Sequence, residues 1–236
     1  MTASRQGRKI VAPVEGSAQW NMAAQLRDVL PIDALTGADR EELAAHMVLR
    51  RFRDNEVVYH RDDPAAHTFV VFQGLAKSVL PDENGHELLV ALYGRGQFFG
   101  ELALFEDAPR ETTVTAVIPT SVFQIPREVG LRVLDRNPQA MRFMFSRLAR
   151  TIHGLSDLLE GIVFLDVPSR LAKYLVELER VDGAVLTQDD IAAAIASTRV
   201  TVNKALADFE KRGLIKVDRR RVRILNEAAL RAEIRP

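Results

Sequence analysis

The stretch at residues 186–215, LTQDDIAAAIASTRVTVNKALADFEKRGLI, predicts two short helices joined by a tight turn. Thr187 and Asp190 have the spacing of a capping box, in which two side chains satisfy free backbone N–H groups at a helix N-terminus. Thr198 can cap the second helix. That helix has an inward apolar stripe at spacings of four and three, formed by Val202, Leu206 and Phe209. This pattern is typical of a helix-turn-helix.

The opposite face of the second helix is predicted to point outward. In helix-turn-helix proteins the N-terminal residues of the second helix meet base edges in the major groove of DNA. The side chains expected to contact DNA are Thr187, Thr198, Arg199, Val200, Thr201, Asn203 and Lys204. Arg199 is the candidate for a guanine contact, because an arginine fork matches the two acceptors of that base.

A basic hairpin is predicted directly after the two helices. Residues 214–224, LIKVDRRRVRI, place apolar residues on both sides of a polar turn at 218–221. The turn carries Arg219, Arg220 and Arg221, whose charge density suits contacts to phosphate. Helices and hairpin in this order predict a winged helix-turn-helix. The alternative is a common alanine-rich helix pair with a solvated basic turn.

Charge and composition fit a chain with a basic C-terminal part. The 236 residues hold 32 Lys+Arg and 32 Asp+Glu, and 14 of these basic but only 10 of these acidic residues lie within 169–236. The chain has no cysteine, which excludes disulfides and thiolate-held metal centres. It also lacks an apolar stretch long enough to span a membrane. Together these features predict a cytoplasmic protein with no membrane partner.

The N-terminal half is predicted to be rich in β-strands. After a helix at 38–47, short apolar runs recur at 57–59, 68–72, 76–80, 88–92, 113–117 and 121–125. Gly, Pro, Asp and Asn separate them, and Asn84-Gly85 is a strong signal for a two-residue hairpin turn. Regular short strands with such turns favour a β-barrel or β-roll.

An apolar segment with a Gly turn, an acid and an arginine lies between these strands at residues 94–113. Its Gly100 permits close approach of the backbone, Glu101 can accept hydrogen bonds from sugar hydroxyls, and Arg110 can bind a phosphate. The three residues predict a nucleotide site. A purely structural loop is the alternative.

A long helix is predicted between the two halves, over about residues 139–165. Apolar residues recur at spacings of 4-3-4-3-4-3, the pattern of a coiled-coil seam: Met141, Phe145, Leu148, Ile152, Leu155, Leu159 and Ile162. The seam favours pairing with a second copy of the chain over packing on its own β-strands. Gly154 and Gly161 weaken the helix, which indicates close packing or a hinge.

These motifs together resemble the cyclic-AMP-receptor/Fnr (Crp/Fnr) family of bacterial transcription regulators. FFGELALF at 98–105 with APRETT at 108–113 resembles the family's phosphate-binding cassette. FLDVPSRLAKYL at 164–175 resembles its hinge, and STRVTVNKAL at 197–206 its recognition helix. The resemblance implies an α+β fold with a cyclic-nucleotide-binding-type β-roll, a long dimerisation helix and a C-terminal winged helix-turn-helix.

The resemblance also implies a division of the chain and a set of partners. We expect a loose arm at 1–21, an effector-binding β-roll at 22–136, the dimerisation helix at 137–165 and the DNA-binding domain at 166–236. The implied partners are a second copy of the chain, palindromic double-stranded DNA with half-sites about 34 Å apart, and RNA polymerase.

Effector contacts are carried over from the family position by position. Gly100 would offer its backbone N–H, Glu101 would hold the ribose hydroxyls, and Arg110 would neutralise a cyclic phosphate. The remaining expected effector contacts are Leu102, Glu111, Thr112, Leu155 and Ser156, and the resemblance implies that Ser156 contacts the effector held by the partner subunit. Thr112 or Thr113 would supply a hydroxyl in place of Glu111. No cofactor is required, and the implied effector is cyclic AMP or a related nucleotide.

Three positions depart from the family pattern. Glu111 stands where cyclic-AMP binders usually have Ser or Thr, and a carboxylate about 5 Å from a phosphate costs on the order of 3 kcal/mol. Leu155 replaces a threonine that contacts adenine. Val200 replaces a glutamate and is better suited to a thymine methyl group. A different nucleotide, another ligand or an effector-independent DNA binder therefore stay as alternatives.

Metal-dependent chemistry has little support in the sequence. His46, His60, His67, His86 and His153 lack close ligand spacing, and no His-x-His occurs. We therefore expect no metal site and no enzyme activity, and a metal-dependent β-barrel enzyme is the remote alternative.

Overall fold

A computed structural model of the protein describes residues 34–83, 85, 87–179, 186–218 and 221–235. The predicted N-terminal arm, Asn84 of the predicted turn, and Arg219 and Arg220 of the predicted wing tip lie outside the described residues. Gly85 has a φ of 82°, in the left-handed region that an Asn-Gly hairpin turn requires.

Among the described residues, eight strands precede the long helix. In chain order they are β1 (Val48–Phe52), β2 (Val57–Tyr59), β3 (His67–Gln73), β4 (Ala76–Pro81), β5 (Glu87–Tyr93), β6 (Phe98–Phe99), β7 (Thr113–Ala116) and β8 (Thr120–Pro126). They form two antiparallel four-stranded sheets with the orders β1-β8-β3-β6 and β2-β7-β4-β5. One apolar cluster contains residues of both sheets, so the sheets pack on each other as a β-roll.

Strand β3 shows how the roll is packed on both sides. Its successive side chains point to opposite faces, so Phe69 and Val71 lie between the two sheets while Val70 faces the helices. Those helices are α1 (Gly37–His46), α2 (Arg127–Arg136) and the start of the long α3 (Pro138–Phe164). The alternation therefore places one apolar core inside the roll and a second under the helices.

The C-terminal part is a winged helix-turn-helix. It consists of α4 (Val167–Leu178), α5 (Gln188–Ala194), α6 (Arg199–Lys211), the hairpin β9 (Ile215–Asp218) and β10 (Arg221–Ile224), and α7 (Glu227–Arg231). Asp166 caps α4 directly after α3 ends, which makes the connection between the two parts very short.

The predicted capping signals of the helix-turn-helix are confirmed. Thr187 and Asp190 form the capping box of α5, and Thr198 accepts a hydrogen bond from the backbone N–H of Thr201 at the start of α6. Ala196 lies in the turn with a φ of 49°. Gly213, with a φ of 71°, follows the end of α6.

The α+β fold and the six predicted strand segments are confirmed, but the sequence-based prediction missed β1 and β6. β1 contains two adjacent arginines, which hide its alternation, and β6 has only two residues. Neither strand therefore carries a local period that could be recognised in the sequence.

Asp39 is a buried and hydrogen-bonded carboxylate at the junction of α1, α2 and α3. Asp39 is 1% exposed, and its carboxylate accepts hydrogen bonds from Thr36, Arg136 and Asn137. Burial alone would raise the pKa of Asp39, but these bonds outweigh it and lower the pKa to about 2.

We predict that this site makes the protein sensitive to acid. Because the pKa of Asp39 is lower in the folded state, its stabilisation is present above pH 4 and is lost as the pH falls towards 2. Wild type should lose about 2 kcal/mol of unfolding free energy from this group over that range, and Asp39→Asn should lose that dependence. Urea unfolding at pH 6, 4 and 2.5 measures it, and equal pH slopes in both proteins would contradict it.

Candidate effector pocket and DNA-binding face

A cavity of about 160 Å³ opens inside the roll, next to the long helix. It is bounded by the short 3-10 helix Glu101–Leu104, the strands of the second sheet, the segment around Arg110, and α3. Seven of the eight residues expected to contact an effector line it: Gly100, Glu101, Leu102, Arg110, Glu111, Thr112 and Leu155. The fold thus brings together side chains that are up to 55 positions apart in the sequence.

Ser156, the eighth expected residue, does not line this cavity. It is exposed on α3, and its hydroxyl donates to the carbonyl of Ile152 in the preceding turn. Its predicted contact is with an effector held by the partner subunit, so its position does not exclude that role.

Glu101 is a buried carboxylate at the back of the cavity, with 8% of its surface exposed. Gly100 precedes it with a φ of 68°, a conformation that favours glycine. Burial raises the pKa of Glu101, while the nearby charges of Arg147 and Arg110 act in the opposite direction. A buried acceptor of this kind fits a ligand that presents hydroxyl donors.

Arg110 lies beside Glu101 and is held against the backbone. Its guanidinium donates to the carbonyls of Gly100 and His67 and stacks on the ring of Tyr59 at 4.3 Å. Its Nε atom is buried without a hydrogen-bond partner among the described residues. A Cβ atom on Gly100 would stand 2.6 Å from Nη1 of Arg110, so a larger residue there would have to displace the guanidinium.

Several residues of the pocket carry no signal in the sequence. Tyr59, Ser78 and Tyr93 line the cavity from three different strands, and the hydroxyl of Ser78 bonds that of Thr112 at 2.8 Å. Arg147 on α3 donates to the carbonyl of Phe98, and its charge acts on Glu101. Each is a common residue type in an ordinary pattern, so only the tertiary structure brings them to the site.

The predicted seam of α3 divides into two parts. Towards its N-terminus Met141 packs on the helices of the roll, and Leu148 is half-buried at the effector cavity. Phe145, Ile152 and Leu159 are 57%, 63% and 62% exposed, and Leu155 is 40% exposed. At the far end Ile162 is half-buried, while Val163 and Phe164 are exposed. The exposed apolar stripe therefore covers the middle and the end of the helix.

Gly154 and Gly161 border a second cavity of about 360 Å³, between β5, α3, α4 and the end of α5. A Cβ atom at either glycine would meet nothing within 4 Å. Packing within the described chain therefore does not explain these residues, and close packing or a hinge stays a prediction for them.

The start of α6 presents the expected DNA-binding side chains. Arg199 is exposed and pairs with Asp189 at 3.0 Å, an exposed ion pair that contributes little to stability. Val200 is 64% exposed, and Thr198, Thr201 and Lys204 are also exposed. Arg221 is exposed at the start of β10, and Arg219 and Arg220 lie outside the described residues.

Two of the side chains predicted to contact DNA are less exposed than the others. The hydroxyl of Thr187 donates to Asp190 within the capping box. Asn203 is half-buried, and its Oδ1 atom is buried without a hydrogen-bond partner among the described residues. The hydrogen bond to Asp190 holds Thr187 at the helix cap, and Asn203 is half-buried next to the buried Val202 of α6.

No group of three or more His, Cys, Asp or Glu side chains in the described part of the chain could hold a metal ion. No described helix is both long and apolar enough to cross a membrane.

Comparisons with family models match both halves of the chain. A model of the cyclic nucleotide-binding domain matches residues 49–137, and a model of the Crp-like helix-turn-helix domain matches residues 169–233. The first match contains the candidate pocket, and the second contains α5, α6 and the hairpin.

Known proteins with similar sequences are transcription regulators. A CRP-like cAMP-activated global transcriptional regulator of Mycobacterium tuberculosis is 32% identical over 194 residues, which cover 76% of this chain and 84% of that protein. The global nitrogen regulator of Synechococcus elongatus is 29% identical over 194 residues, covering 77% and 87%.

Solved structures show the same architecture. FixK2 from Bradyrhizobium japonicum superposes with a TM-score of 0.72 at 22% identity, covering 80% of this chain and 98% of that one. A transcriptional regulator of the CRP family from Thermus thermophilus superposes with a TM-score of 0.68 at 28% identity, covering 78% and 96%.

Proposed function

The chain belongs to the Crp/Fnr family of DNA-binding transcription regulators, and we propose that it acts as a homodimer whose DNA binding is controlled by a nucleotide in the β-roll. The observation that carries this proposal is the cavity around Glu101 and Arg110, because it lies in the same chain as an exposed recognition helix. The relatives are regulators, not enzymes. The functional division proposed is an arm at 1–21, an effector domain at 22–136, a dimer helix at 137–165 and a DNA-binding domain at 166–236.

The proposed effector is cyclic AMP or a closely related nucleotide. The carboxylate of Glu101 would accept from the ribose hydroxyls, and the guanidinium of Arg110 would bind the phosphate. The unpartnered Nε of Arg110 supports this role, because a phosphate would supply the missing acceptor. Similarity to a regulator named as cAMP-activated supports it as well. Glu111 is exposed, so its carboxylate can point to water and away from a bound phosphate.

The proposed dimer interface is the exposed stripe on α3. Phe145, Ile152, Leu155, Leu159 and Val163 share this surface. Each gains about 1.5 to 3 kcal/mol on full burial, so the five give an upper value of about 7 to 15 kcal/mol per chain before entropy is considered. A stripe of this size on one helix fits a second copy of the same helix.

The proposed target is a palindromic site in double-stranded DNA, recognised by the two copies of α6. Arg199 would contact guanine and Val200 a thymine methyl group, while the arginines of the hairpin would contact phosphates. RNA polymerase is the proposed protein partner of the DNA-bound dimer. An effector-independent DNA binder is the second candidate, supported by Glu111 at the mouth of the pocket.

Effector binding is predicted to depend on Glu101. Nucleotide-stripped wild type should bind cyclic AMP or cyclic GMP in calorimetry, and Glu101→Gln should weaken the binding about 10- to 100-fold because a charged acceptor of hydrogen bonds is lost. Glu128→Gln, at an exposed site on α2, is the matched control and should bind as wild type does. Absence of heat with both nucleotides, together with unchanged DNA affinity, would rule out the cyclic-nucleotide effector.

Two arginines are predicted to have different roles on DNA. After selection of a binding site from random DNA, Arg199→Ala should relax the preference at one base pair by about 1 to 3 kcal/mol. Arg221→Ala should weaken cognate and scrambled DNA alike and reduce the salt slope by about one unit. Fluorescence anisotropy at several salt concentrations distinguishes the two, and equal losses on both DNAs for both variants would contradict the assignment.

The dimer is predicted to depend on the exposed stripe of α3. Leu159→Asp should weaken dimerisation about a hundredfold or more, because the interface would bury an unpaired charge from each copy. Val48→Asp changes a comparably exposed apolar residue on β1 and should leave the dimer intact. Sedimentation velocity between about 0.1 and 50 μM measures both variants. A Leu159→Asp protein that sediments as wild type would refute this interface.

A further inference from the structure

Strand β4 forms a wall that is shared by the effector pocket and the DNA-binding domain. Successive side chains of a strand point to opposite faces, and two neighbouring residues use this property. Ser78 points into the roll, where it lines the effector cavity and bonds Thr112 at 2.8 Å. Lys77 points outward, where its ammonium group meets Asp190 of α5. One peptide unit thus separates the effector pocket from a contact to the helix-turn-helix.

The contact between Lys77 and Asp190 is a short ion pair with little solvent around it. Nζ of Lys77 stands 2.5 Å from Oδ1 of Asp190, and the two side chains are only 17% and 8% exposed. Glu87 of β5 is a second, more distant anion at 3.5 Å. The other oxygen of Asp190 closes the capping box with Thr187. The same carboxylate therefore both starts α5 and attaches it to the wall.

Each residue of this pair favours the charged form of the other. Burial alone would lower the pKa of Lys77, but the hydrogen bond and charge of Asp190 outweigh it and raise the pKa. Burial alone would raise the pKa of Asp190, but the bonds from Lys77 and Thr187 lower it. Both groups are consequently ionised at neutral pH, and removal of Lys77 would leave a largely buried carboxylate without its cation.

Apolar packing surrounds the ion pair. Leu75, Val79 and Leu89 of the roll belong to the same buried cluster as Ile191 and Ile195 of the helix-turn-helix. The start of α6 stays exposed in this arrangement. Docking of α5 on the wall therefore leaves the recognition helix free to meet DNA, while it fixes the direction in which that helix points.

We propose that Lys77 is a positioning residue that couples the effector pocket to the recognition helix within one subunit. The inference rests on the proposed function, since it assigns a route by which the effector acts. A nucleotide that contacts the Ser78–Thr112 side of β4 shifts this strand, and Lys77 passes the shift to α5 through Asp190. The effector then favours the docked orientation of the helix-turn-helix in each subunit. This contact acts on α5 directly and does not pass through α3.

The test compares Lys77→Met with Lys77→Arg and with a matched control. Methionine keeps the length of the side chain and removes its charge, whereas arginine keeps the charge. Arg132→Met is the control, because it breaks an ion pair with Glu42 at 2.7 Å that joins α2 to α1 and involves no residue of the helix-turn-helix. Asp190 is left unchanged, since its substitution would also remove the helix cap.

Two quantities are measured on the full-length dimer. The first is the ratio of DNA affinities with and without saturating cyclic AMP, and the second is the hydrogen-exchange protection of residues 188–194. We expect Lys77→Met to lower the affinity ratio about fivefold and to reduce the protection about tenfold. Lys77→Arg should keep both within about twofold of wild type, and Arg132→Met should change neither.

The outcomes separate this inference from the proposed function. Wild-type values for Lys77→Met in both measurements would overturn the inference, and so would a lower protection with an unchanged affinity ratio. If wild type itself does not respond to cyclic AMP or cyclic GMP, the effector part of the proposed function fails. The hydrogen-exchange protection of residues 188–194 in wild type and Lys77→Met then shows whether Lys77 holds the DNA-binding domain against β4.

Discussion

The burial of both faces of the β2-β7-β4-β5 sheet is the constraint on which the rest of the structure depends. An antiparallel sheet usually exposes one face to water, but here the inner face packs on the other sheet and the outer face packs on the helix-turn-helix. Residues of β4 therefore belong to different cores: Ala76 lies inside the roll, whereas Val79, together with Leu75 just before the strand, lies against the DNA-binding domain. Because the two cores share one strand, the effector cavity and the DNA-binding domain are direct neighbours.

The charges inside the cavity explain why the pocket is built for a ligand. Glu101 and Arg110 are buried, and burial penalises both charged forms. Backbone carbonyls accept hydrogen bonds from the guanidinium of Arg110, and the positive charge of Arg147 offsets part of the negative charge of Glu101. Neither group has a direct ion pair with the other among the described residues, although their charges interact. A ligand that offers hydroxyl donors on one side and an anion on the other complements this arrangement.

The sequence predicted the local elements well and the partners of long-range contacts poorly. The helix-turn-helix carries its caps and its apolar stripe within 30 residues, so Thr187, Thr198 and Val202 could be placed correctly. Met141 fits the seam pattern equally well, yet it packs on the roll. Periodicity identifies the apolar face of a helix, but it does not tell which partner covers that face. Ser78 and Arg147 were missed because nothing in the local sequence distinguishes them from the other polar residues of their elements.

The sequence by itself determined the order of the elements, their caps and the candidate side chains for a nucleotide and for DNA, because these depend on residues close together in the chain. The tertiary structure decided where Arg110 donates, which part of the α3 stripe stays exposed, and that Lys77 meets Asp190 across 113 positions of sequence. Such contacts depend on how strands and helices stack in space. No local spacing records that stacking, so the contact between β4 and α5 is visible only in the folded chain.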